Sequence, residues 1–517
     1  MEQGFGWIDW LIIAAYMGVM LWIGGVVGRR QKDSSDFFLG GRTMPAWAVA
    51  LSVIATSLSA ATFVGAPEIS FKGDLSYLFT YAGACIAGFI VALLFVPTLY
   101  RAGTVTIYGY LGQRYGEPAT MAASVMFLLG RLLASGARLF MAGIGFALMW
   151  YGDTQTHQLI PVIVVLGLFG TFYTACGGIR AVIWTETIQF SVVVAAAGAS
   201  AWLLLRAIPM PVSDIVAVLR DADGVNKLRL LDARLDPGAP YTVWAGLFAM
   251  TVMTVSTHGV DHDLVQRVLT AKSSWRGGLA LFWSMVVTVP VVLLFMIIGL
   301  LLYIYYQRPD LMGASAPADA ITDTRRVFPQ FVLYHIPTGI KGLIMAGLFS
   351  SAMSTFNSAI NAMASSLVAD LYLPWASWRA RRRGETLSSD ISMAKLSESR
   401  LAVGVIGAGL TLFAVGAVFM QAMGGDTLIN FALGVMAYAL APLLGVFCTA
   451  LFTRRGNLIT VYAALITGIV LVQLLQPYML PSWIGVKIAF PWWWVIVSPI
   501  CFVICAVGTP RVAAREA

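Results

Sequence analysis

Long apolar runs separated by short charged loops set the pattern of this chain. Runs of about 20 residues recur from position 9 almost to the C-terminus, and each is long enough to cross a bilayer as a helix. The pattern predicts an all-α polytopic membrane protein with about thirteen spans. They lie at 9–27, 46–69, 75–100, 118–149, 158–175, 181–205, 241–265, 276–305, 336–371, 400–422, 427–452, 458–476 and 486–507. The first run is followed by Arg29, Arg30 and Lys32 and by no small-residue cleavage site, so a retained helix is expected rather than a signal peptide.

Composition supports this. Hydrophobic residues make up 59% of the 517 positions and charged residues 11%, with a mean hydropathy of +0.81. Soluble domains carry roughly twice that charged fraction. The net charge of +8 needs no nucleic-acid partner, because cytoplasmic loops of membrane proteins are enriched in Lys and Arg. If the spans alternate, the loops holding Arg42, Arg101, Arg114, Arg180, Arg267, Lys272, Arg276, Arg379 to Arg383, Arg454, Arg455, Arg511 and Arg515 share one side. That side is then the cytoplasm, with the N-terminus outside a bacterial-type inner membrane and the C-terminus inside. The 207–240 segment on the other face is also charged, but long loops weigh little in this rule. The 373–398 segment reads as a cytoplasmic linker whose arginine run lies at the lipid surface. Five cysteines, Cys85, Cys176, Cys448, Cys501 and Cys505, are scattered without metal or redox spacing and read as buried packing residues.

Three spans depart from the apolar rule. The second carries Thr56, Ser57, Ser59 and Thr62 near its middle, the ninth runs Phe349-Ser350-Ser351-Ala352-Met353-Ser354-Thr355-Phe356-Asn357-Ser358, and the seventh contains Ser256-Thr257-His258-Gly259-Val260-Asp261-His262-Asp263. A single serine in a span ordinarily bonds back to its helix or joins two helices. Three clusters ask for more, because unwound backbone at membrane depth is tolerated only where it lines a cavity. Broken helices at matching places in two halves mark an inverted-repeat transporter. Here the second and seventh spans each open a block of five, 46–206 and 241–452. Hard cations such as sodium prefer carbonyl and hydroxyl oxygens. Ala55 and Leu58 on the second span, and Ser351 and Ser354 on the ninth, are three apart and so lie on one face of each helix.

The chain resembles the sodium:solute symporter family, with its galactose, proline and sialic acid branches. The residues that carry the resemblance are Asp36-Phe37-Phe38-Leu39-Gly40-Gly41-Arg42, the Ala55–Thr62 stretch, Gly177-Gly178-Ile179-Arg180 through Glu186, Val265-Gln266-Arg267, and the ninth span on to Asn361 and Asp370-Leu371-Tyr372. The resemblance covers nearly the whole length. It implies a LeuT-type core of five plus five helices (one extra helix before it, two after), with sodium as the only ion and no organic cofactor. The implied division is 1–45 for the extra helix and first loop, 46–206 and 241–452 for the repeats, 207–240 for an outer loop, and 453–517 for the last two helices. By similarity, sodium would be held by the carbonyls of Ala55, Leu58 and Ser351 and the hydroxyls of Ser354 and Thr355. Glu186 stands where the family has Asp; it is a candidate for a second sodium or for the ion's exit path.

The solute is less legible. Arg131 lies about 13 residues, roughly 20 Å, from either end of its span and cannot reach water. A buried guanidinium needs an anion, either a protein carboxylate or a solute carboxylate held by two parallel bonds. Gly130-Arg131 resembles the sialic acid branch, in which that arginine holds the sugar acid, and Ser57, Ser59 and Thr62 match substrate-contacting hydroxyls there. Tyr77 and Tyr81 replace the branch's Phe and Gln. Arg138, on nearly the same face, is read as a structural ion pair, and Thr257 and His258 as lining the solute cavity. The expectation is a secondary transporter, not an enzyme, working as a monomer and importing a small carboxylated solute; a neutral sugar, monocarboxylate or amino acid is the alternative. His258 and His262, four apart, raise the rival of a haem or zinc protein, and a channel is the other rival.

Overall fold

The computed structural model describes residues 5–28, 34–222, 224–317, 321, 324–383, 396–422 and 428–509. Arg29, Arg30, Lys32, Arg511, Arg515 and the 384–395 part of the linker lie outside them. Among the described residues every regular element is a helix. Eight helices are long and apolar enough to span a membrane, or nine if one bent pair counts as a span.

The main elements are α1 (Trp7–Gly28), α2 (Ala46–Ser57), α3 (Ala60–Lys72), α4 (Ser76–Ile90), α5 (Glu117–Tyr151), α6 (Thr156–Ala207), α7 (Met250–Gly259), α8 (His262–Leu269), α9 (Ser274–Gln307), α10 (Ile340–Ser366), α11 (Leu396–Ala422), α12 (Leu428–Phe452), α13 (Leu458–Leu474) and α14 (Pro491–Val507). Fewer long helices than apolar windows result for three reasons. The second and seventh windows are each split in two. The last two helices are 17 residues each. The fifth and sixth windows run together as the 52 residues of α6.

That run folds back on itself. Gly178 has φ 54° and ψ −169°, a conformation only glycine adopts without strain. The Tyr173 and Thr185 hydroxyls touch across the bend; in a straight helix twelve residues would separate them by about 18 Å. Arg180, just past the bend, donates to the Gly40 carbonyl at 2.9 Å and pairs with Asp36 at 3.1 Å. Two of the sequence motifs thus dock on each other.

The second half of the second span is fixed against α9. Ser70 donates to the Met296 carbonyl at 2.7 Å, and a Cβ at Gly299 would sit 2.0 Å from the Pro67 carbonyl oxygen. Small residues permit this backbone approach in membrane helices. The 207–240 loop closes over the same end. The buried Lys227 ammonium donates to the Phe71 and Gly73 carbonyls at 2.8 and 3.0 Å, which a cation satisfies well at a helix C-terminus. Arg229 pairs with Asp74 at 2.6 Å.

The ninth span outruns its apolar window. After a π-helical turn at Leu367–Tyr372 the helix continues as Leu373–Arg382, into the segment expected to be linker.

Candidate functional site

The two breaks supply the site. At the first, Leu58 (ψ 86°) and Ser59 (ψ 169°) leave helical geometry, and α2 and α3 meet at 61°. The amide of Thr62 bonds to the Ser59 carbonyl at 2.8 Å, releasing the Leu58 carbonyl from the helical ladder. α10 lies opposite. Its Ser351 hydroxyl donates to the Leu58 carbonyl at 2.8 Å and its Ser354 hydroxyl to the Ala55 carbonyl at 2.5 Å. Thr355 reaches the carbonyls of Ser351 at 3.3 Å and Thr56 at 3.5 Å. The five residues expected to hold sodium therefore meet, all buried. A cavity with room for about one water-sized particle is walled by Ala55, Leu58, Ser351 and Ser354. Uncharged hard oxygens around so small a space suit a sodium ion.

Gln189 also lines this cavity, 1% exposed, and its Oε1 has no hydrogen-bond donor. Sequence reasoning missed it. The signal was an amide in an apolar span, one turn after Glu186 on the same face.

Glu186 sits beside Ser52 and Thr56 of α2. It accepts from Ser52, from Thr56 at 3.1 Å, and from two nitrogens of Arg267 at 3.0 and 3.2 Å. The parallel pair of bonds from a guanidinium already occupies the carboxylate that was a candidate for a second sodium.

The second break is charged. Val260 and Asp261 are non-helical, and Asp261 caps α8 by accepting from the Asp263 amide at 3.1 Å. The freed Val260 carbonyl accepts from Tyr108 at 3.2 Å. Arg131 is 3% exposed. This arginine, for which a protein carboxylate and a solute carboxylate were both open, is paired with protein: Nε donates to Asp261 at 3.2 Å, a second nitrogen also contacts Asp261, and Asp263 lies at 3.1 Å. The reason is the break itself, which turns two aspartates inward toward a guanidinium that needs them. Arg267 ties Asp263 (2.9 Å) to Glu186, so two arginines and three carboxylates form one buried chain.

Arg138, expected in an ion pair, has no carboxylate or hydrogen-bond partner among the described residues and is only partly buried. It shares a helix face with Arg131 and with Ser135, whose buried hydroxyl is also unpartnered. Gly145 abuts Leu348, and further down Ser124 and Ser366 share Asp370. Arg138 is about a third of the way along that stretch and so level with about Ser354.

The remaining expected solute residues divide. Ser57 is exposed at the first break, its hydroxyl turned back to the Val53 carbonyl at 2.9 Å, with Ser59 buried and Thr62 half-buried nearby. Tyr77 and Tyr81 lie near the start of α4, their hydroxyls 3.5 Å apart, with Tyr241 packed edge-to-face against Tyr77. Thr257 bonds to His258 Nδ1 at 3.0 Å, leaving Nε2 unpartnered. His262 turns instead to Ser365 at 2.8 Å, so the two histidines take separate partners. No cluster of three metal-ligating side chains exists among the described residues.

A bundle of apolar helices in which two spans are broken has the architecture of a secondary transporter. The comparisons agree. The model of the sodium:solute symporter family matches residues 37–387, more than half of the chain, and the chain belongs to that family. The human sodium/iodide cotransporter is 29% identical over 465 residues, covering 89% of this chain and 68% of that one. The sodium/sialic acid symporter SiaT of Proteus mirabilis is 26% identical, covering 90% and 89%. In fold, a solved Na+-coupled sialic acid symporter in its substrate-bound outward-open state superposes with a TM-score of 0.80 at 24% identity, covering 97% and 98%.

Proposed function

We propose that this chain is a sodium-coupled symporter that imports a small anion by alternating access. The observation that carries the sodium half is the meeting of the Ser351, Ser354 and Thr355 hydroxyls with the Leu58, Ala55 and Thr56 carbonyls at the first break. Sodium enters this cavity, favours the outward-open state, and raises the fraction of protein able to take solute; coupling requires that difference in affinity between states. Solute binds near the midplane between the two breaks. Two inverted five-helix blocks, 46–206 and 241–452, then rock against each other and release both to the cytoplasm, where the arginine-rich loops lie. The working unit is one chain in the inner membrane, without an organic cofactor.

The anion half rests on Arg138. An unpaired guanidinium at membrane depth is costly, and an anionic solute supplies its partner. The named cargoes of the two relatives, iodide and sialic acid, share negative charge. Ser57, Ser59 and Thr62 on one side and Thr257 and His258 on the other supply polar contacts. The saturation of Glu186 by Arg267 favours a single sodium per cycle.

The test is thermal stability of the purified protein with iodide, monocarboxylates, sialic acid, neutral sugars and amino acids, in sodium and in choline. A ligand of the folded state raises the melting point. A rise with an anion, seen only in sodium, is expected. A rise with neutral solutes alone would overturn the anionic reading and leave sodium symport standing.

A further inference from the structure

Leu373–Arg382, the extension of the ninth span, carries a feature that transport does not use. Its sequence places Trp375, Trp378, Arg379 and Arg382 along one face of the helix. Ala380, on the opposite face, is buried against the protein, so this stripe looks outward. Both indoles are exposed, Trp375 at 48% and Trp378 at 51%. The Arg379 guanidinium stacks over the Trp375 ring at 5.3 Å and Arg382 over Trp378 at 4.1 Å. No carboxylate lies within 4.0 Å of Arg379, Arg381, Arg382 or Arg383 among the described residues. The helix is continuous with a span whose Ser351, Ser354 and Thr355 form the sodium pocket.

Stacking fixes each guanidinium by its face and leaves its edge of N–H donors free. Such an edge matches a phosphate through paired bonds. Indole rings settle at the boundary between hydrocarbon and headgroup, where their apolar body and polar N–H are both satisfied. A basic cluster at the end of a span is drawn to anionic lipid, with each arginine contributing. We propose that the Trp375–Arg382 stripe is a binding site for the phosphate headgroup of an anionic phospholipid of the inner leaflet. The lipid source is favoured over free phosphate because the two exposed indoles continue from a membrane helix and give the acyl glycerol region an apolar bed.

The experiment measures the melting temperature of the full chain in detergent micelles doped with phosphatidylglycerol or with phosphatidylcholine. The variants are Arg379→Gln with Arg382→Gln, Trp375→Ala with Trp378→Ala, and Arg454→Gln with Arg455→Gln. These side chains are exposed or at the surface, and melting in undoped micelles checks each fold. Phosphatidylglycerol is expected to raise the melting point of the native chain and phosphatidylcholine to leave it unchanged. The Arg379/Arg382 variant should lose at least half of that rise and the tryptophan variant part of it, while the Arg454/Arg455 variant keeps it. An undiminished rise in the Arg379/Arg382 variant would overturn the site. So would a rise lost in the Arg454/Arg455 variant instead, or an equal rise from millimolar inorganic phosphate alone.

Discussion

The two helix breaks solve the same backbone problem with opposite chemistry. At Leu58–Ser59 the released carbonyls meet hydroxyls, and no charged side chain lines the cavity. At Val260–Asp261 the break is bound by aspartates to Arg131 and, through Asp263, to Arg267 and Glu186. Neutral oxygens hold a cation weakly enough to release it on every cycle. A buried chain of two arginines and three carboxylates holds its own groups, because separating buried partners is expensive. On the proposed reading the first break is the exchangeable site and the second the fixed frame.

Substitutions divide along this line. The largest effect is expected from Arg267→Met, which leaves Glu186 without a cation and Asp263 with Arg131 alone. Removing one partner of a buried pair costs about 3–5 kcal/mol, so a steep fall in melting temperature and folded yield is expected, with or without sodium. Ser354→Ala with Thr355→Ala should act in the opposite manner. It takes two hydroxyls from the ion and weakens sodium affinity by about a hundredfold, about 2.7 kcal/mol, while melting in choline barely moves. If this variant keeps its sodium response, the first break is not the ion site. Arg138→Gln should weaken anion binding about tenfold, about 1.4 kcal/mol, and leave sodium stabilisation intact; a fall in stability without a change in anion affinity would make Arg138 part of the frame. Gln189→Leu is the finest probe. Losing one oxygen contact, worth about 1 kcal/mol, should weaken sodium about fivefold, and an unchanged affinity would confine the shell to the five residues of α2 and α10.

How much of this was legible in the sequence follows from what each group interacts with. The two clusters that meet at the first break were legible because hydroxyls are rare enough in apolar spans to stand out, and because both clusters keep a helical spacing. The breaks were legible for the same reason. The partners of Arg131 were not, because Asp261 lies 130 positions away and only the turn of the backbone at Val260 brings it inward. Arg131 is paired and Arg138 is not among the described residues, since pairing is decided by the facing helix and not by the arginine's own span. Gln189 was overlooked because its only signal, a place one turn after Glu186, does not say which helix it faces. The continuation of the ninth span through Arg382 was hidden by its charge, which ends the apolar window without ending the helix.

The most direct test of the central claim is uptake of a radiolabelled anion into proteoliposomes under an inward sodium gradient, with the anion first found by the stability panel. The account predicts accumulation above the outside concentration with the native chain, collapse of the excess when sodium is equalised or replaced by choline, and no excess with Ser354→Ala and Thr355→Ala together. Uptake that only equilibrates, or that accumulates equally in choline, would contradict sodium-coupled symport through the first break.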